Sequence, residues 1–150
     1  MLIRPATLAD VPDLYQLALL YDPPGATAPF ASFHERIEEI LADSRMLLIC
    51  AEDHDLLGYA LAQDYGRNPR RQFTFGRLHD LFVHPGARRR GIGRRLMDAV
   101  AAWARDREMI LDWQARWEAV PFYESLGLTK DTVGDQARFP GFCYDFRHPS

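Results

Sequence analysis

The chain has 150 residues, 47% hydrophobic and 26% charged, with a net charge of −3. That is the size and composition of one ordinary globular domain, which excludes disorder, a collagen-like repeat or a coiled coil as a description of the whole. The longest apolar runs, residues 46–51 and 99–104, fall far short of the ~20 residues that span a bilayer.

Residues 2–4 read as a short first strand. Thr7-Leu8-Ala9-Asp10 carries a capping-box signature. Val11, Leu14, Leu17, Ala18 and Tyr21 then recur at helical spacing, until Asp22-Pro23-Pro24-Gly25 stops the helix. A second capping-box signature, Ser32 to Glu35, precedes Ile37, Ile40 and Leu41. Residues 46–51 read as a buried strand, and residues 56–65 as its hairpin partner across Glu52-Asp53-His54-Asp55. A long strand, 72–83, ends at Pro85-Gly86. The helix 91–107 follows, with Ile92, Leu96, Val100 and Trp103 on one stripe. A strand at 109–113, a helix at 118–126 closed by Gly127, and a strand at 141–147 complete the chain. In that last strand Phe142, Tyr144 and Phe146 alternate with Cys143, Asp145 and Arg147, the period of a half-buried strand. The expected order is β-α-α-β-β-β-α-β-α-β, a single mixed α/β domain over residues 1–150.

The N-terminus has no long apolar stretch of the kind a signal peptide needs. Two cysteines, Cys50 and Cys143, are too few for a disulfide framework or a structural zinc site. A cytoplasmic protein without a metal is expected, acting neither on nucleic acid nor at a membrane. Its acidic balance argues against a nucleic-acid partner. The charge is uneven, however. Five arginines, Arg88, Arg89, Arg90, Arg94 and Arg95, fall within residues 85–95 with no acid among them. Such a spot on an acidic protein suits one compact anion.

That spot lies where a strand meets a helix across Gly91-Ile92-Gly93. The first turn of a helix carries unpaired N–H groups and the positive end of its dipole. Glycine lets a phosphate approach that backbone, and arginines add forked donors. The residues alone leave two readings open, a pyrophosphate cradle or a solvated arginine-rich helix start. The pattern lacks the Gly-Lys-Ser/Thr of a P-loop and the third glycine of a dinucleotide fingerprint.

Arg88-x-x-Gly91-x-Gly93-x-x-Leu96, after a strand ending in Val83, resembles the coenzyme A loop of the GNAT superfamily of N-acetyltransferases. Downstream, Ala119-Val120-Pro121-Phe122-Tyr123-Glu124-Ser125-Leu126-Gly127-Leu128 is similar to the second signature of that family. Ile3-Arg4-Pro5-Ala6-Thr7 and the element order are also similar, so the resemblance covers essentially the whole chain. It implies a GNAT-like mixed, mostly antiparallel sheet with splayed central strands (72–83 and 109–113) and helices on both faces. It implies acetyl-CoA as co-substrate, with its pantetheine arm beside Leu81, Phe82 and Val83. Its pyrophosphate would lie on backbone N–H groups of Arg89, Arg90, Gly91, Ile92, Gly93 and Arg94, with Arg88 beside them. Arg89 stands where the family commonly has glycine, and Arg116 where it often has an asparagine that contacts coenzyme A. A homodimer is also within the family's habit.

The same resemblance implies that Tyr123 is the acid that protonates the coenzyme A sulfur; a phenol of pKa about 10 suits a thiolate leaving group. Read without the family, Phe122 and Tyr123 are core aromatics. Asp80 is an aspartate in mid-strand, which β-propensity disfavours. It is either a base that holds a cationic amine or one half of a salt bridge. Alternation puts Leu78, Asp80 and Phe82 on one face and His79, Leu81 and Val83 on the other. His79, with an ordinary pKa near 6.5, is the second candidate base. Trp113 and Trp117 are candidates for the acceptor pocket, and residues 21–33 for its lip. The expected activity is acetyl transfer to a primary amine of a small molecule or to an exposed amino group. The rival is an acyl-CoA-binding sensor or interaction module without transferase activity.

Overall fold

In a computed structural model of the chain, the structure describes residues 1–130 and 141–147. Among them are six strands and four α-helices in the expected order: β1 (Leu2–Pro5), α1 (Val11–Tyr21), α2 (Phe30–Leu41), β2 (Met46–Asp53), β3 (Asp55–Arg67), β4 (Thr74–Val83), α3 (Ile92–Asp106), β5 (Met109–Gln114), α4 (Val120–Ser125) and β6 (Gly141–Asp145). The strands are hydrogen-bonded in the order β1-β2-β3-β4-β5-β6, a mixed α/β sheet. No helix among the described residues is long and apolar enough to cross a membrane. Residue contacts divide the chain into two compact units interleaved in sequence, Met1–Gln63 with His79–Val100, and Asp64–Leu78 with Ala101–Ser150.

The first unit is built on antiparallel strands. β1 pairs β2 from Leu2↔Glu52 to Pro5↔Ile49, and β2 pairs β3 from Met46↔Gln63 to Asp53↔Asp55, with a bulge at Ala51/Glu52. The hairpin turn is tighter than the sequence suggested because His54 takes a left-handed backbone, φ 65°. Leu48, Ile49, Cys50 and Ala51 are all buried, so β2 is covered on both faces and reads as an unbroken apolar run. Val11, Leu14 and Leu17 of α1 and Ile37 and Ile40 of α2 join Leu48, Cys50, Tyr59 and Phe82 in one core. α2 starts at Phe30 behind Pro29, not at the expected Ser32 box. Pro29, with φ −56° and ψ 149°, stands as the residue before the first turn, and the Phe33 N–H bonds back to its carbonyl at 3.0 Å. The Thr7–Asp10 box does form, on a 3-10 turn, Leu8–Asp10, that leads into α1. The Asp10 carboxylate accepts from the Thr7 N–H at 2.8 Å and from Arg4 at 2.8 Å, and Arg4 also donates to Glu52 at 2.6 Å. Gly58 of β3 is required by packing: a Cβ there would lie 2.7 Å from the Phe82 carbonyl oxygen and 3.3 Å from Leu96 Cδ1.

In the second unit β4 pairs parallel with β5 from Thr74↔Met109 to Arg77↔Asp112, and β5 pairs antiparallel with β6 from Ile110↔Asp145 to Gln114↔Gly141. Two parallel strands next in sequence need a crossover, and the chain between them contains α3. The parallel ladder covers four pairs only, while β4 continues to Val83 and β5 to Gln114. The core here is aromatic: Trp113 stacks on Phe142 at 6.0 Å, and Tyr123 packs against both at 5.5 and 5.0 Å. Glu118–Leu126, expected as one helix, is a 3-10 turn, Trp117–Ala119, followed by the short α4 with Pro121 in its first turn.

Candidate functional site

The arginine-rich segment folds as a tight loop entering α3. His84 Nδ1 accepts from the Gly86 N–H at 2.9 Å, and Ala87 is buried, which pins the loop's start. Arg89 and Gly91 both take left-handed backbone, φ 65° and 78°. Alternation of this kind builds concave sets of N–H groups that bind anions. Position 89, where glycine is common, is therefore one that glycine would occupy without strain, and arginine holds it at a cost of about 1 kcal/mol. The Gly91 carbonyl accepts the first helical bond, from Arg95 N–H at 3.1 Å. The N–H groups of Ile92, Gly93 and Arg94 belong to the first turn, which has no carbonyl of its own helix to receive them. A Cβ at Gly91 would meet nothing within 4 Å, so the space before this helix start is open. The loop thus offers backbone N–H groups, the positive end of a helix dipole and open space at Gly91, the setting in which a helix start can bind an anion.

The five arginines differ in what they are committed to. Arg90 pairs with Asp53 at 3.0 Å, Arg88 Nε donates to the Val83 carbonyl at 3.3 Å with its guanidinium 5.9 Å from the Phe82 ring centre, and Arg95 donates to the Met1 carbonyl at 3.1 Å. Arg89 is exposed at the left-handed corner.

On β4 the expected alternation holds. Leu78 and Phe82 are buried with Asp80 half-buried between them, while His79 is exposed and shares a hydrogen bond with Gln63 at 2.9 Å. Asp80 and His79 therefore project from opposite faces and are alternatives, not a pair. The expected salt bridge for Asp80 is absent among the described residues. Instead its Oδ2 accepts from the Tyr59 hydroxyl at 3.3 Å. Burial pushes its carboxyl above the ordinary 3.8, the Tyr59 hydrogen bond and His79 pull the other way, and the like charge of Asp22 pushes up again. Tyr21 packs edge-on against Phe82 at 5.1 Å, and Tyr59 lies 6.4 Å from the same ring. Asp22, at the end of α1, accepts from Thr27 at 2.9 Å, and Tyr15 donates to the Ala28 carbonyl at 2.7 Å. These two bonds hold the 22–29 loop, part of the expected lip. Sequence reading missed Tyr59, and it placed Tyr21 and Asp22 in the lip without linking Asp22 to Asp80, because only the fold brings Tyr59 and Asp22 to that carboxylate.

In the second unit Tyr123 is buried among Trp113, Phe122 and Phe142. Of the two candidate pocket tryptophans, Trp113 is 2% exposed and packs in the core, whereas Trp117 is exposed. Arg116 is exposed at the residue preceding the 3-10 turn.

Residues 11–128 match the model of the acetyltransferase (GNAT) family. A curated relative, the aminoglycoside N(6')-acetyltransferase type 1 of Stenotrophomonas maltophilia, is 37% identical over 110 residues, covering 69% of this chain and 67% of that protein. Among solved structures, a putative acetyltransferase from Agrobacterium tumefaciens str. C58 superposes with a TM-score of 0.78 at 19% identity, over 92% of this chain and 99% of that one. Glucosamine-6-phosphate N-acetyltransferase from Arabidopsis thaliana superposes with a TM-score of 0.73 at 18% identity, over 89% and 94%. At such identities the two structures bear on the fold alone.

Proposed function

This chain belongs to the GNAT family of acetyltransferases, and from that premise we propose that it acetylates a cationic primary amine, on a small molecule or as an exposed amino group, with acetyl-CoA as donor. One domain over residues 1–150 carries the activity. The observation behind the donor assignment is the open, left-handed entry to α3 at Gly91. Acetyl-CoA supplies an activated acetyl thioester. The chain's part is to hold its phosphates on the N–H groups from Arg89 to Arg94, with the side chains of Arg88, Arg89 and Arg94 adding charge. Leu81, Phe82 and Val83 offer strand backbone to the pantetheine arm, and a backbone N–H there polarises the reacting carbonyl. Arg116 is the candidate for a further contact.

Asp80 receives the acceptor. Its carboxylate is half-buried and bonded by the Tyr59 hydroxyl, with a second carboxylate, Asp22, near enough to act on it. Such a setting attracts an ammonium group, and a carboxyl made less acidic by burial is a better base for it. The relative's named substrate, an aminoglycoside, bears amino groups, in keeping with this reading. Tyr123 is the proton donor at the other end of the reaction. The test is thiol release from acetyl-CoA across a panel of mono- and polyamines, with native protein and with Asp80→Asn. The native rate should rise with pH as Asp80 ionises, and Asp80→Asn should lose roughly 10²–10⁴-fold in kcat/KM for the amine with acetyl-CoA binding kept. Binding of acetyl-CoA without thiol release for any amine would move the protein to the sensor reading. Full turnover by Asp80→Asn would remove the base role from that residue and pass it to His79 or to water.

A further inference from the structure

Asp80 is held by a residue that packs in the core of the first unit and also presents a hydroxyl to it. Tyr59 sits on β3, its backbone paired with the fully buried Cys50, and the residue before it is Gly58, whose missing side chain lets β3 lie against the Phe82 carbonyl. The Tyr59 ring is 8% exposed and tilted against Phe82, so its hydroxyl is delivered to one place, Asp80 Oδ2 at 3.3 Å. We propose that Tyr59 is the positioning residue for Asp80: its hydroxyl fixes Oδ2 and thereby turns Oδ1 to the amine of the acceptor. The inference rests on the reading of Asp80 as the base.

The chemistry of the pair supports a standing donor. Burial, and then the charge of Asp80, push the Tyr59 phenol well above its ordinary value, so it stays protonated wherever Asp80 is ionised. The titratable and charged groups that act on Asp80 are Tyr59 on β3, Asp22 at the end of α1, and His79 on its own strand; Tyr21 acts on Tyr59. Of these, Tyr59 donates its hydroxyl proton directly to the carboxylate in a hydrogen bond. A donor to the ionised form stabilises it, so removing that donor makes Asp80 harder to ionise.

The experiment is the pH profile of kcat/KM for an amine substrate, measured on native protein, Tyr59→Phe, Asp80→Asn and the double variant. Phenylalanine keeps the ring, so melting temperature should hold within a few degrees. The acid limb of the Tyr59→Phe profile should move up by roughly half to one pH unit, the size of one ordinary hydrogen bond. Its plateau kcat should fall several-fold with the KM for acetyl-CoA unchanged, and Tyr59→Phe should add nothing in the Asp80→Asn background. Site-specific fluorination of the Tyr59 ring, which strengthens the donor without changing its shape, should move the limb the opposite way. An unmoved limb in Tyr59→Phe, with Asp80→Asn inactive, overturns the positioning role and leaves the base reading standing. An active Asp80→Asn overturns the base reading, and the Tyr59 inference with it.

Discussion

Gly91 tests the phosphate cradle with least ambiguity, because the structure separates two effects of filling it. Its φ of 78° is left-handed, where a Cβ costs roughly 1–2 kcal/mol in backbone strain. A Cβ there meets nothing within 4 Å, so no steric cost adds to the strain in the unliganded protein. Gly91→Ala should therefore lower the melting temperature by only a few degrees for a chain of this length. Asparagine tolerates left-handed backbone better than alanine, so Gly91→Asn should melt closer to native. Both side chains enter the space where the phosphate is placed. Losing one charge-assisted contact to backbone N–H weakens binding by about 1.5–3 kcal/mol, roughly 10–150-fold in Kd. Titration calorimetry with coenzyme A on the three proteins, alongside thermal melts, gives both quantities. Native-like affinity in the folded Gly91→Asn protein would refute the cradle and return the arginine cluster to a solvated helix start. Loss of affinity in step with loss of stability, greatest in alanine and slight in asparagine, would refute it too, since strain alone would then explain the result. A valine at this position would decide nothing, because a β-branched residue at positive φ is strained enough to unfold the loop by itself.

Tyr123→Phe keeps the ring packed on Trp113, Phe122 and Phe142 and removes only the hydroxyl; kcat should fall by roughly 10²–10³-fold with acetyl-CoA affinity unchanged. A kcat within a few-fold of native would make Tyr123 a core aromatic and nothing more. The Asp10 carboxyl, bonded by Arg4 and by the Thr7 N–H, is held down to about 2 from 3.8, and its side chain is 10% exposed. A carboxyl depressed in the folded state contributes its stability in full above pH 4, and this is lost as the pH falls from about 4 to about 2. The contribution is about 2 kcal/mol. Asp10→Asn should thus melt several degrees below native at pH 7, with the gap closing in acid melts near pH 2; a gap that stays constant with pH would show that the ion pair contributes nothing.

What local sequence determines is what local physics controls. The order of strands and helices follows from periodicity alone, and each expected element is present, because burial of a 3.6-residue stripe or a 2-residue alternation is written in the spacing of side chains. The same alternation puts Asp80 and His79 on opposite faces of β4, where the fold holds them. The glycine at 91 marked a helix entry whose left-handed backbone a side chain would strain. What the sequence could not contain is the partner of each polar group. Asp80 meets a tyrosine 21 residues away and not an arginine; Arg90 is committed to Asp53, 37 residues away; and Arg4 binds Glu52 across 48 residues. Trp113 goes to the core of its unit and Trp117 to the surface, though both are tryptophans on either side of the same arginine. Even the start of α2 moved, from a serine box to a helix that begins at Phe30 directly after Pro29, because two adequate start signals competed along the chain. Periodicity is a property of neighbours along the chain, whereas charge neutralisation, hydrogen-bond pairing and the basicity of Asp80 depend on neighbours in space, and these the tertiary structure alone decided.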